Sequence, residues 1–184
     1  MKKISRSVWP NLITLSNLTL GMAAILIVST PSATNDLMFV ASFMVAIAAL
    51  TDRFDGKVAR RLDAVSELGK ELDSLADLVS FGIAPVVIAW RTGLVTLGWI
   101  GMLVCIVYPL CGAFRLARFN SSKFDDIFMG MPITIAGAFM ALINILNCFL
   151  LAREKLSPVN GIITAVLTVI LSYLMISRIR IRKR

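Results

Sequence analysis

Apolar and polar residues alternate along this chain in long blocks. Runs rich in Leu, Ile, Val, Ala, Met and Phe are separated by short polar or charged links. Each run is close to the ~20 residues that a helix needs to cross a bilayer. The pattern predicts six spans, at about 12–28, 37–50 (continuing as helix to about 61), 68–90, 96–118, 132–152 and 161–177. Turns are expected at 30–36 and 91–94, a polar link at 63–67, a polar loop at 120–130 and a short charged link ending at Pro158. Residues 1–9 read as an interfacial segment and 178–184 as a basic tail, flanking one membrane domain over 1–184. A cleavable signal peptide is the alternative for the first run. Asn11, Thr14, Ser16 and Asn17 argue against it, because they place too much polarity at its start.

Composition agrees with this all-α integral membrane reading. Of 184 residues, 58% are hydrophobic and 16% charged; mean hydropathy is +0.83. A soluble domain carries roughly a quarter charged residues. The net charge of +8 sits in clusters beside the apolar runs, which fits anionic headgroups rather than nucleic acid. Six spans put both termini on one side. That side takes Lys2, Lys3, Arg6, Arg53, Lys57, Arg60, Arg61, Lys70, Arg115, Arg118, Lys123 and the basic tail, while the other has Arg91, Arg153 and Lys155. The positive side is cytoplasmic. The chain has no His, which excludes His-based catalysis and His–metal sites. Cys105, Cys111 and Cys148 are isolated and read as packing residues.

The exception to the apolar pattern is Asp52–Asp77, which holds seven of the eleven acidic residues. Ionisable groups in or beside a span are costly and are usually retained for a task. Asp52, Asp55, Gly56, Ala59 and Arg60 share one helical face, at i, i+3, i+4, i+7 and i+8. Gly69, Asp73 and Asp77 share another, at i, i+4 and i+8. If the two helices run back beside each other, four aspartates converge at the cytoplasmic end of spans two and three. Such a group demands protonation or neutralising cations. Mg²⁺ or Mn²⁺ with oxygen ligands suits it, and a pair of such ions is the usual clamp for phosphoryl transfer. Gly56, Ala59 and Gly69 leave room for a planar ligand against the backbone, and Arg60 offers a fixed charge for a phosphate. The competing account is a set of helix-surface salt bridges, which serves well for Asp63, Glu67 and Glu71 beside Lys57, Arg60 and Arg61.

The spacing D-x2-D-G-x2-A-R-x8-G-x3-D-x3-D resembles the signature of the CDP-alcohol phosphotransferase family at all its fixed positions: Asp52, Asp55, Gly56, Ala59, Arg60, Gly69, Asp73 and Asp77. Residues 10–14 (P-N-L-I-T), 80–85 (S-F-G-I-A-P), 111–120 (C-G-A-F-R-L-A-R-F-N) and 130–133 (G-M-P-I) resemble the phosphatidylserine synthase branch of that family. The likeness is weakest after Leu142. It implies a homodimer of six-helix subunits in the cytoplasmic membrane, with two divalent cations on Asp52, Asp55, Asp73 and Asp77. It implies CDP-diacylglycerol as donor, its nucleotide near Gly56, Ala59, Arg60 and Gly69, and L-serine as acceptor, giving phosphatidylserine and CMP. Asp77 is implied as the general base. Asn11 and Thr14 are candidates for nucleotide contacts or for hydrogen bonds between helices. Arg115, Arg118 and Asn120 are candidates for binding serine; ordinary positive-inside charge and helix capping are their alternatives.

Three further readings fit the same residues. The same chemistry serves a CDP-archaeol donor. It also serves glycerol phosphate or inositol phosphate as acceptor, which would favour extra cations. An ion-coupled transporter also binds ions through intramembrane carboxylates, but that reading wants acidic groups near the midplane on several helices, not in one short stretch.

Overall fold

The computed structural model of the chain describes residues 2–61, 67–121, 127–155, 157–177 and 180–182; for 2–10, 53–61, 127–129 and 180–182 the backbone alone is described. The helices are α1 (Lys2–Ser29), α2 (Asn35–Arg61), α3 (Glu67–Asp77), α4 (Ala84–Thr92), α5 (Trp99–Ser121), α6 (Ile133–Ala152) and α7 (Pro158–Ile176). Two three-residue strands, β1 (Ile127–Met129) and β2 (Arg180–Arg182), accompany them. Because α3 and α4 form one continuous crossing, Glu67–Thr92, six segments are long and apolar enough to span a bilayer. The chain is a multi-pass membrane protein.

A helix satisfies its own backbone groups, the condition for entering lipid. The runs of Leu, Ala, Ile and Met favour helix, and α5 accommodates Pro109 in its interior. Ser157 caps α7, its hydroxyl accepting from the Val159 N–H, with Pro158 at the first helical position. The third crossing is not the regular helix that its hydropathy predicts. Between α3 and α4, residues Leu78–Ile83 form a π turn, in which the Ala84 N–H reaches back five residues to the Val79 carbonyl. Pro85 is the physical reason. It has no N–H to offer, and its ring crowds the carbonyl four residues earlier, so the ladder widens by one residue.

The bundle has an apolar outer face and a mainly apolar core into which a minority of polar side chains is set. Phe81, Ile88, Tyr108, Ile133, Met140 and Met175 fill the core. Among them the Asn144 Nδ2 donates to the Pro85 carbonyl (2.8 Å). The Asn147 Nδ2 donates to the Thr164 hydroxyl (3.0 Å). Leu26, Phe43, Leu110, Phe114, Leu142 and Tyr173 face outward. Association of helices in lipid depends on packing and on such polar links, since burying Leu against Leu gains little there.

Within the expected polar loop at 120–130, β1 pairs antiparallel with β2, setting Ile127 opposite Arg182 and Met129 opposite Arg180. The Met131 N–H then bonds the Leu174 carbonyl (3.0 Å). The segment leading into α6 is thereby fastened to the end of α7 and the tail beyond it. The three cysteines are free.

Candidate active site

Asp52 lies on α2; Asp73 and Asp77 lie on one face of α3, four residues apart. One carboxylate oxygen from each of the three comes within 4.8 Å of the others. Asp77 is buried, and Asp52 and Asp73 are half-buried. Two ionised carboxylates at that separation repel by about 3 kcal/mol at an effective dielectric of ~20. Oxygens so placed on two helices are the donor set that a hard divalent cation takes, so these residues fit a metal.

The carboxyl of Asp52 is hydrogen-bonded to the side chains of Thr134, in the first turn of α6, and of Asp77. Three helices therefore meet at this carboxyl. Asp55, Gly56, Ala59 and Arg60 follow on α2, but their side chains lie outside the described residues. Gly69 is half-buried in the first turn of α3.

One residue of α1 draws the two acidic segments together. Asn17 is almost fully buried. Its Oδ1 accepts from the Thr51 hydroxyl (2.7 Å), one residue before Asp52. Its carbonyl accepts from the Ser80 hydroxyl (2.9 Å), three residues after Asp77. Gly21, one turn further along α1, lies directly against Ser80, so α1 crosses the π turn with only the small Ser80 side chain at the contact. On sequence Asn17 counts only as excess polarity in an apolar run. A buried amide in a span was the available signal, because such a group must find partners. Thr14 is buried on the same helix, and Asn11 is half-buried.

The candidate cations separate clearly. Arg115, on α5, is buried. Its guanidinium acts electrostatically on Asp77 and on Arg118 and lies 5.3 Å from the centroid of the Phe119 ring. Its Nε has no hydrogen-bond partner among the described residues. Arg118 instead donates to the Ile176 carbonyl (3.1 Å) and the Ser177 carbonyl (3.4 Å), closing the C-terminal end of α7, where unsatisfied carbonyls gather. Asn120 is exposed and donates to the Ser74 hydroxyl (3.0 Å) and to Glu71 Oε1 (3.4 Å), joining the end of α5 to α3. Arg115 is thus the described cation set beside the acidic group.

The described residues thus set an acidic cluster of α2 and α3 beside a buried arginine of α5 within a bundle of six candidate membrane spans. Residues 7–176 match the CDP-alcohol phosphatidyltransferase family, and the chain belongs to it. Its relatives make the comparison more specific. A Bacillus subtilis protein named CDP-diacylglycerol–serine O-phosphatidyltransferase is 38% identical over 173 residues, covering 93% of this chain and 88% of the relative. A Helicobacter pylori protein of the same name is 38% identical over 142 residues, 76% of this chain and 58% of the relative. A Methanocaldococcus jannaschii protein, also of that name, is 32% identical over 173 residues, 93% of this chain and 72% of the relative.

Proposed function

We propose that this chain transfers the phosphatidyl group of CDP-diacylglycerol to L-serine, yielding phosphatidylserine and CMP. The observation that carries the reading is the meeting of Asp52, Asp73 and Asp77 oxygens within 4.8 Å, drawn from two helices. The names and coverage of the relatives support serine as acceptor. Divalent cations held by these three residues and Asp55 would supply charge neutralisation for the donor diphosphate and the departing CMP.

The chain's own residues do the rest. Asp77 accepts the proton of the serine hydroxyl as that oxygen attacks the phosphorus bearing the lipid. The new O–P bond forms as the bond from that phosphorus to the CMP phosphate oxygen breaks. Placement beside the hydroxyl matters more here than basicity. Arg115 is buried and offers a planar fork of donors, which suits the serine carboxylate better than the tethered Arg118 does. Asn11, Thr14, Gly56, Ala59, Arg60 and Gly69 surround the nucleotide, the small residues letting it lie against helix backbone. The lipid tails stay against the apolar outer faces. The surplus of Lys and Arg at this end supports a cytoplasmic site with both termini on that side. The working unit is a homodimer in the cytoplasmic membrane.

The test offers purified protein, CDP-diacylglycerol and Mn²⁺ one labelled acceptor at a time: serine, glycerol phosphate or inositol phosphate. Serine alone is expected to enter lipid, with one CMP released per lipid formed. Incorporation of a phosphorylated acceptor in its place overturns the serine assignment.

A further inference from the structure

We infer that Thr134 is a positioning residue for Asp52. It holds that carboxylate in the orientation that binds a divalent cation. This rests on the metal-binding reading above and adds to it a part for α6, which carries none of the acidic ligands.

The hydrogen bond from Thr134 to Asp52 differs from the usual hydroxyl contact in this bundle. Ser42, Thr92, Thr168 and Ser172 all donate to a carbonyl four residues back in their own helices, the ordinary resting place of such a group. Thr134 is the second residue of α6. Four residues before it the chain is not yet helical, so no intrahelical carbonyl competes for its hydroxyl. It reaches across to another helix instead. A carboxylate held at one oxygen by a fixed donor keeps one rotamer and leaves its other oxygen for a cation. Such outer partners commonly change metal affinity by 10–100-fold when removed.

The donor is itself held rigidly. Ile133, the preceding residue, is fully buried. Its Cδ1 fills the space beside Gly112 of α5, 2.6 Å from where a Cβ would stand there, and lies 3.6 Å from the equivalent point at Gly82 of the π turn. Met131 is bonded to Leu174 through its N–H. The first turn of α6 is therefore pinned to α5, to the π turn after Asp77 and to α7. A hydroxyl on that turn keeps its distance from the aspartates, as a pre-organised ligand set requires.

The experiment measures Mn²⁺ binding directly, by electron paramagnetic resonance of free Mn²⁺ over purified full-length protein in detergent, without substrate. It compares wild type, Thr134→Val, Thr134→Ser and Asp73→Asn. Thr134→Val keeps the shape and removes the donor; about 10-fold weaker Mn²⁺ binding is expected. Thr134→Ser restores the hydroxyl and is expected to bind within about twofold of wild type. Metal-free melting temperatures of both are expected to match wild type, which separates lost positioning from lost folding. Wild-type Mn²⁺ affinity in Thr134→Val, alongside weakened binding in Asp73→Asn, overturns the inference and leaves the metal site standing. Unchanged binding in Asp73→Asn as well removes the metal reading itself, and this inference with it.

Discussion

Replacing Gly21 by alanine adds a single methyl group at the tightest crossing near the site. A Cβ built there would lie 2.7 Å from the Cα of Ser80 and 3.0 Å from its Cβ, and would overlap its Oγ. A backbone atom cannot swing aside, so α1 and the π turn must part. Overpacking of this kind costs about 1–3 kcal/mol. Separation also strains the Ser80–Asn17 bond, worth about 1 kcal/mol, while alanine returns up to about 1 kcal/mol of helix propensity. The net expectation is about 1–3 kcal/mol of lost stability. At roughly 2–4 °C per kcal/mol for a chain of this size, thermal melting in detergent registers it readily. Gly82→Ala is the matched control. Its nearest neighbour is the tip of Leu78 at 3.1 Å, a flexible end that moves at little cost, so a loss under about 1 kcal/mol is expected. Because the same crossing seats Asn17 between the two acidic segments, Gly21→Ala is also expected to weaken Mn²⁺ binding. Equal melting of Gly21→Ala and Gly82→Ala would refute the claim that backbone contact between α1 and the π turn sets this geometry.

Two other substitutions probe different parts of the account. Arg115→Lys keeps the charge but loses the fork; with a charge-assisted bond worth about 1.5–3 kcal/mol, kcat/KM for serine is expected to fall at least 10-fold with Mn²⁺ binding unchanged, whereas Arg118→Lys is expected to leave KM for serine near wild type. Asn144→Leu strips the Pro85 carbonyl of its side-chain donor and is expected to cost about 1–3 kcal/mol, read as a lower melting temperature with little change in kcat.

The acidic site was legible because its signal is local and periodic. Asp52, and Asp73 with Asp77, sit at helical spacings within one short stretch of apolar surroundings, and the structure brings their oxygens together. The six crossings were legible for the same reason, since a span is written in consecutive residues. The contacts that fix the site were not, because each joins residues far apart in the chain. Asn17 meets Thr51 and Ser80 across separations of 34 and 63 residues. The pairing of Ile127–Met129 with Arg180–Arg182 is too short for an alternating pattern and depends wholly on its partner. The π turn had a cue in Pro85, but a proline in an apolar run predicts a disturbance without saying whether the helix kinks, ends or widens. Thr134 resembles any hydroxyl inside a span until α6 is set beside α2.

The proposed activity requires the carboxylates of α2 and α3 to share divalent metal. The most direct measurement is anomalous scattering from crystals of the protein grown with Mn²⁺. A peak is expected between the two helices, with oxygens of Asp52, Asp73 and Asp77 around it at about 2.1 Å, the short distances of hard-cation sites. Active protein whose manganese lies elsewhere, with these three carboxylates bound to none, would contradict it.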